Sequence, residues 1–132
     1  MAAKKQLLKG SSKVQSLVKI LFLIFVVLTL ISLYYHNKVK INIMVQTPVL
    51  NEMMTVNVEV KKGNQYLNLD SLNIELQHKY KKDEKISTEL TPYSAGRYQL
   101  YYYPQIQGDY LIDIVAQKDD NKYYKNSIIK VE

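Results

Sequence analysis

Gly96-Arg-Tyr-Gln-Leu-Tyr-Tyr-Tyr-Pro-Gln-Ile-Gln-Gly-Asp-Tyr-Leu-Ile-Asp-Ile-Val-Ala116 holds two strand patterns and the break between them. Tyr98, Leu100 and Tyr102 alternate with Arg97, Gln99, Tyr101 and Tyr103. Tyr110, Ile112, Ile114 and Ala116 alternate with Leu111, Asp113 and Val115. A period of two places each set on one face of a strand. Pro104 to Gly108 lies between them, where a missing backbone donor does least harm to a ladder. Each strand opens on Gly-x-Tyr, as Gly96-Arg97-Tyr98 and again as Gly108-Asp109-Tyr110. A tyrosine at the start of the second of these strands can return its hydroxyl to backbone at the corner of a β-sandwich. That role is structural and not catalytic.

Working toward the N-terminus, the same alternation recurs. Val39, Ile41, Ile43 and Val45 mark a first strand, and Met54, Val56, Val58 and Val60 a second. Leu72, Ile74, Leu76, His78 and Tyr80 share one face of a third, while Ile86, Thr88 and Leu90 mark a fourth. Tyr66 to Leu69 reads as a short edge piece. The strands of the opening stretch are the fifth and sixth, and Tyr123 to Val131 the seventh. Strands at roughly 8–12-residue spacing, with turn residues between, predict an all-β domain over residues 36–132. The expected fold is a seven-stranded antiparallel immunoglobulin-like β-sandwich with Greek-key wiring. A small closed barrel is the structural alternative.

Ahead of the strands, residues 20–35 (Ile-Leu-Phe-Leu-Ile-Phe-Val-Val-Leu-Thr-Leu-Ile-Ser-Leu-Tyr-Tyr) carry no charge. As a helix they reach about 24 Å, and including residues 14–19 brings the length to about 33 Å, enough for a bilayer core. Lys19 can lay its stem along the helix and place its ammonium among headgroups. Tyr34 and Tyr35 suit the opposite interface. The expected organisation is a basic cytoplasmic tail over 1–13, a single N-terminal transmembrane helix over 14–35 in contact with membrane lipid, and the sandwich. Gly10-Ser11-Ser12 is expected to break any helix in the tail. A cleaved signal peptide is the rival, but Thr29-Leu-Ile-Ser-Leu-Tyr-Tyr35 lacks an A-x-A-like site. Lys4, Lys5, Lys9, Lys13 and Lys19 outnumber Lys38 and Lys40 across the span, so the N-terminus is expected inside and the domain outside. Only His36-Asn37-Lys38 connect the run to the first strand, which places the domain close to the membrane.

The formal charge of +6 belongs to the anchor. Residues 41–132 hold eleven cations against twelve acids, so the folded part has no basic excess with which to neutralise nucleic-acid phosphates. No cysteine is present. An extracytoplasmic domain without disulfides rests on packing alone, which suits a prokaryotic surface.

Neither His36 nor His78 has a Ser or Asp partner at motif spacing, and no enzyme is expected. Copper would favour thioethers and imidazoles. Met44, Met53, Met54, His36 and His78 are scattered over separate segments, so no metal, cofactor or small-molecule substrate is inferred. Asp119-Asp120-Asn121 reads as a polar turn rather than a calcium loop. The candidate binding feature is aromatic: Tyr101, Tyr103, Leu111 and Val115 fall on outward positions of the fifth and sixth strands. Side by side they would form an exposed apolar patch for a protein partner, expected to be another membrane protein.

The stretch from Gly96 to Ala116 resembles the C-terminal half of membrane-tethered bacterial Ig-like domains of the FixH and YtkA-like kind, which carry a G-x-Y strand, a Pro-to-Gly turn and a second G-x-aromatic strand. The resemblance implies an accessory role near a respiratory or metal-handling complex. Lys9-Gly10 before an apolar helix also resembles pilin-like subunits, although Gln15 stands where many of them have Glu. The preferred expectation is a non-catalytic accessory or assembly subunit of a membrane complex.

Overall fold

The computed structural model describes residues 2–132. The chain divides into two units after Lys38. In the first, a single helix α1 runs over Ala2–Asn37, so Gly10-Ser11-Ser12 does not interrupt it. One glycine in a helix costs about 1 kcal/mol and a serine less, and extending a helix already nucleated by a long apolar run is cheap. Ser12–Asn37 is long and apolar enough to cross a membrane, and its apolar window is not buried among the described residues. Phe22 and Phe25 are each 67% exposed, and Leu21, Leu28 and Leu30 lie bare as well. Thr29, a polar residue within the run, returns its hydroxyl to the Phe25 carbonyl at 2.8 Å, which satisfies that donor on the helix surface.

The second unit, Val39–Glu132, contains the strands β1 (Val39–Gln46), β2 (Met54–Lys62), β3 (Gln65–Tyr66), β4 (Ser71–His78), β5 (Lys85–Glu89), β6 (Arg97–Tyr102), β7 (Gly108–Lys118) and β8 (Asn121–Val131). The pairings among them are antiparallel. One sheet has β2 at its centre, with β1 on one side and β6 and β3 on the other. The second has the order β5-β4-β7-β8. The chain crosses from the first sheet to the second between β3 and β4, returns between β5 and β6, and crosses again between β6 and β7. This is the sandwich with immunoglobulin-like wiring, not a closed barrel. The eighth strand is the two-residue β3, shorter and slightly earlier than the edge piece expected at Tyr66 to Leu69.

Alternation builds the core. In the first sheet Met54, Val56 and Val58 face inward opposite Tyr102, Leu100 and Tyr98. In the second, Leu72, Ile74 and Leu76 face inward opposite Ala116, Ile114 and Ile112. Most of these side chains are fully buried, and the larger ones each contribute about 1.5–3 kcal/mol of transfer free energy. With no disulfide available, this interior and the ladders hold the domain.

Two glycines explain the repeated Gly-x-Tyr. Gly96 has φ +66, and a Cβ there would meet the Val60 carbonyl oxygen at 2.6 Å. Gly108 has φ +121, and a Cβ would meet His78 Nε2 at 2.9 Å. Each glycine lets the chain enter a strand beside backbone or ring already in place. The tyrosine two residues later then enters the core: Tyr98 is 2% exposed and Tyr110 fully buried. The Tyr110 hydroxyl donates to the Ile106 carbonyl at 2.7 Å, which is the inter-sheet corner expected from the sequence.

The third strand ends earlier than its alternation suggests. β4 stops at His78, and Tyr80 is 75% exposed instead of sharing the core face. The reason is the His78 ring. Its Nδ1 accepts the backbone N–H groups of Tyr80 and Lys81 at 3.1 and 2.9 Å, which turns the chain out of the strand.

Candidate interaction surface

The four residues singled out for binding do not form one patch. β6 pairs with β2, and β7 pairs with β4 and β8, so these consecutive strands lie in different sheets. Tyr101 therefore sits on the outer face of the first sheet, with Tyr103 just beyond the end of β6, whereas Leu111 and Val115 sit on the outer face of the second. The expected side-by-side arrangement is corrected for a topological reason: a β6-to-β7 connection that crosses between sheets separates faces that a hairpin would have joined.

Each half acquires different neighbours. On the first sheet Tyr101 is 60% exposed, and its hydroxyl donates to Gln99 Oε1 at 3.0 Å. Gln99 in turn donates to Asn57 Oδ1 at 2.9 Å. That face is threaded by a polar network.

On the second sheet the ladder sets Val115 opposite Tyr124 and Leu111 opposite Ile128. Tyr124 is 71% and Ile128 61% exposed, while Leu111 and Val115 are half-buried beside them. Between the two apolar pairs lies Asp113 opposite Asn126. An open hollow of about 370 Å³ is lined by Val115, Tyr124, Asp113 and Asn126 among others. The sequence does not mark Tyr124 and Ile128 because β8 alternates weakly; its inward positions include Lys125 and Ser127, opposite Ile114 and Ile112. A lysine at an inward position of an edge strand discourages pairing with a further strand.

The candidate metal donors are dispersed. Met54 is fully buried in the core, Met44 is on the outer face of β1, Met53 is in the β1–β2 loop, and His36 is in the last turn of α1. His78 is 5% exposed and has no lone pair to give. Its Nδ1 already accepts two N–H groups, and Nε2 lies 2.8 Å from the Gln107 carbonyl, to which it must donate.

The groups with displaced pKa values are structural too. Burial pushes the Tyr98 hydroxyl up. Burial and a hydrogen bond to Glu84 push Tyr102 strongly upward, and burial raises Tyr110. Tyr102 donates to Glu84 Oε1, and the Gln105 N–H reaches the same oxygen at 3.4 Å. Tyr102, Tyr110 and His78 stack edge to face, with centroids 6.1 and 5.0 Å apart, and join the β4–β5 and β6–β7 loops. A second open hollow of about 440 Å³ lies beside Ile41, Asn42, Met44, Glu59, Lys125 and Ser127. Neither described hollow contains any of these shifted tyrosines.

No family model matches the chain, and no curated protein does. Among solved structures, it is similar to an engineered protein at a TM-score of 0.53 and 13% identity, over 70% of this chain and 20% of that one. The chain thus spans about a fifth of that protein's length. The CARDB domain of a Pyrococcus furiosus protein, solved in complex with di-metal ions, stands at 0.43 and 15%, covering 72% of this chain and 88% of its own. A conjugative transposon lipoprotein from Bacteroides eggerthii stands at 0.40 and 13%, covering 69% and 95%. These likenesses concern the fold alone.

Proposed function

We propose that this chain is a single-pass, membrane-anchored binding module whose domain lies outside the cytoplasm and docks a protein of the same membrane. It is a non-catalytic accessory or assembly subunit in this reading. The observation that carries it is the pair of apolar cross-strand contacts, Leu111–Ile128 and Val115–Tyr124, on the outer face of β7 and β8. A solvated outer face would ordinarily be polar, and two apolar pairs set on either side of Asp113 and Asn126 mix exposed apolar and polar groups as protein interfaces do. The bare apolar surface of α1 supports the anchor, and the lysine asymmetry around it supports the orientation. Tethering both partners in one bilayer raises their effective concentration, so a strip of this size suffices without a tight interface.

A photo-crosslinking residue at Tyr124, installed in the full chain in native membranes, should yield one dominant protein adduct. The same probe at Tyr101 should yield far less. Adducts from Tyr101 alone would move the interface to the first sheet, and none from either position would end the docking reading. The FixH and YtkA-like resemblance adds a narrower form in which the partner is a respiratory or metal-handling complex, and the identity of the Tyr124 adduct tests it.

A further inference from the structure

We infer that Lys40, Lys61 and Lys62 form a docking surface for the anionic headgroups of the bilayer that anchors the chain, an inference that rests on the membrane-anchored reading. The β1–β2 ladder sets Lys40 directly opposite Lys61 and Val39 opposite Lys62. Like charges facing each other across a ladder oppose pairing, yet the sheet places two here on its outer face, and Lys62, the last residue of β2, adds a third from the other face at the exposed end of the ladder. Among the described residues the ion pairs are Lys85–Glu75, Arg97–Glu59 and Lys118–Asp70, and none engages these three lysines. Lys40 and Lys62 are exposed; Lys61 is half-buried, with its ammonium 4.7 Å from the centre of the Tyr66 ring. Glu59, two residues from Lys61, is the neighbouring carboxylate on this face, and Arg97 approaches it at 3.9 Å. The three lysines therefore gather positive charge at one end of the β1–β2 ladder, on a domain whose charges nearly cancel in sum.

Covalent connectivity limits how far the triad can stand from lipid. Two residues of helix, the linking Lys38 and two of strand lead from Tyr35 to Lys40, at most about 13 Å of chain. The headgroup layer is itself roughly 5–8 Å deep, and a lysine side chain reaches several ångströms further. Lys61 adds only one interstrand spacing to that distance. The array of acidic-lipid headgroups at that level, each phosphodiester carrying one negative charge, relieves the facing lysines. Each basic residue near such a surface strengthens attachment, and salt weakens it within about a Debye length of 8 Å. The surface would fix which end of the sandwich meets the membrane and leave the β7–β8 strip free to turn toward a neighbour.

The full chain serves for the test, and its lack of cysteine lets a single introduced one carry a fluorophore. Asn64→Cys labels the turn beside the triad, and Gln105→Cys labels the opposite end of the sandwich, about 30 Å away along β2. Proteoliposomes of phosphatidylcholine alone, or with phosphatidylglycerol, contain a headgroup-attached quencher. Quenching at Asn64→Cys should be roughly twofold or more greater with the acidic lipid, and high salt should abolish the difference. Gln105→Cys should not respond. Lys61→Gln with Lys62→Gln should remove the response, and single Lys62→Gln should reduce it while preserving the thermal unfolding transition. Equal quenching in both lipids, or a response untouched by salt and by Lys62→Gln, overturns the lysine surface. Alkali-resistant flotation of the same vesicles reports the anchor separately: a chain that floats but is quenched equally in both lipids loses only this inference, and one that fails to float loses both.

Discussion

On the outer face of the first sheet Tyr101 hands its hydroxyl to Gln99, which hands its amide to Asn57; on the outer face of the second, Tyr124 lies opposite Val115 and Ile128 opposite Leu111. Both faces expose a tyrosine by about two-thirds of its surface. One tyrosine belongs to a solvated polar network and the other to an apolar strip. Exposure alone therefore does not identify an interface. The cross-strand neighbour decides whether an outward aromatic is a polar fitting or part of a sticky surface. Beneath both faces lies one shared core, which should make outer substitutions nearly silent for folding and inner ones severe.

The largest expected effect tests that separation. Ile112→Ala removes a fully buried side chain one residue from outward Leu111, and should cost about 2–5 kcal/mol in urea unfolding. A loss below about 1 kcal/mol would mean the interior repacks freely and the two faces are not independent. Next comes Gly108→Ala, whose Cβ collides with His78 Nε2 and whose backbone stays at φ +121. It should cost about 1–3 kcal/mol, because the crowding atom belongs to a ring that is held at both nitrogens and cannot swing aside.

Tyrosine chemistry gives a smaller effect with a defined sign. Tyr98, Tyr102 and Tyr110 all have pKa values raised in the folded state. The unfolded chain therefore loses these protons first, near its ordinary value of about 10. Stability should be level below that pH and fall as pH rises above it, because the folded state must hold protons that the unfolded state has released. Tyr102→Phe should flatten the alkaline limb of the denaturation curve; an unchanged limb would remove Tyr102 from the account. Tyr110→Phe deletes the hydroxyl bond to Ile106 and should cost about 1 kcal/mol at neutral pH. The smallest effects belong to the outer faces. Tyr101→Ser and Ile128→Ser should each change stability by less than about 0.5–1 kcal/mol. Only Ile128→Ser should reduce the Tyr124 crosslink, and equal losses from both would erase the difference between the faces.

Much of this was legible along the chain. Alternation marked the core strands, and all of Val56, Val58, Leu72, Ile74, Ile112 and Ile114 are buried as their parity required. Gly-x-Tyr marked the corner at Tyr110, though not its partner at Ile106. The uncharged run from Ile20 to Tyr35 marked the helix, though not its extension through Gly10-Ser11-Ser12, where local breakers yield to propagation. Less legible was the binding face. Leu111 and Val115 stand out by parity, while Tyr124 and Ile128 are hidden in a strand whose inner side carries Lys125 and Ser127.

The sequence by itself determined the inward rows of β2, β6 and β7 and of β4 as far as His78, and that an apolar helix precedes them, because side-chain parity is a local property of the chain. Only the tertiary structure decided which outward residues meet. Strand partners are chosen by the packing of two sheets against each other, and that choice sent Tyr101 to one face and Leu111 to the other. The same choice set Lys40 against Lys61 and Val115 against Tyr124, juxtapositions between segments that no local period encodes.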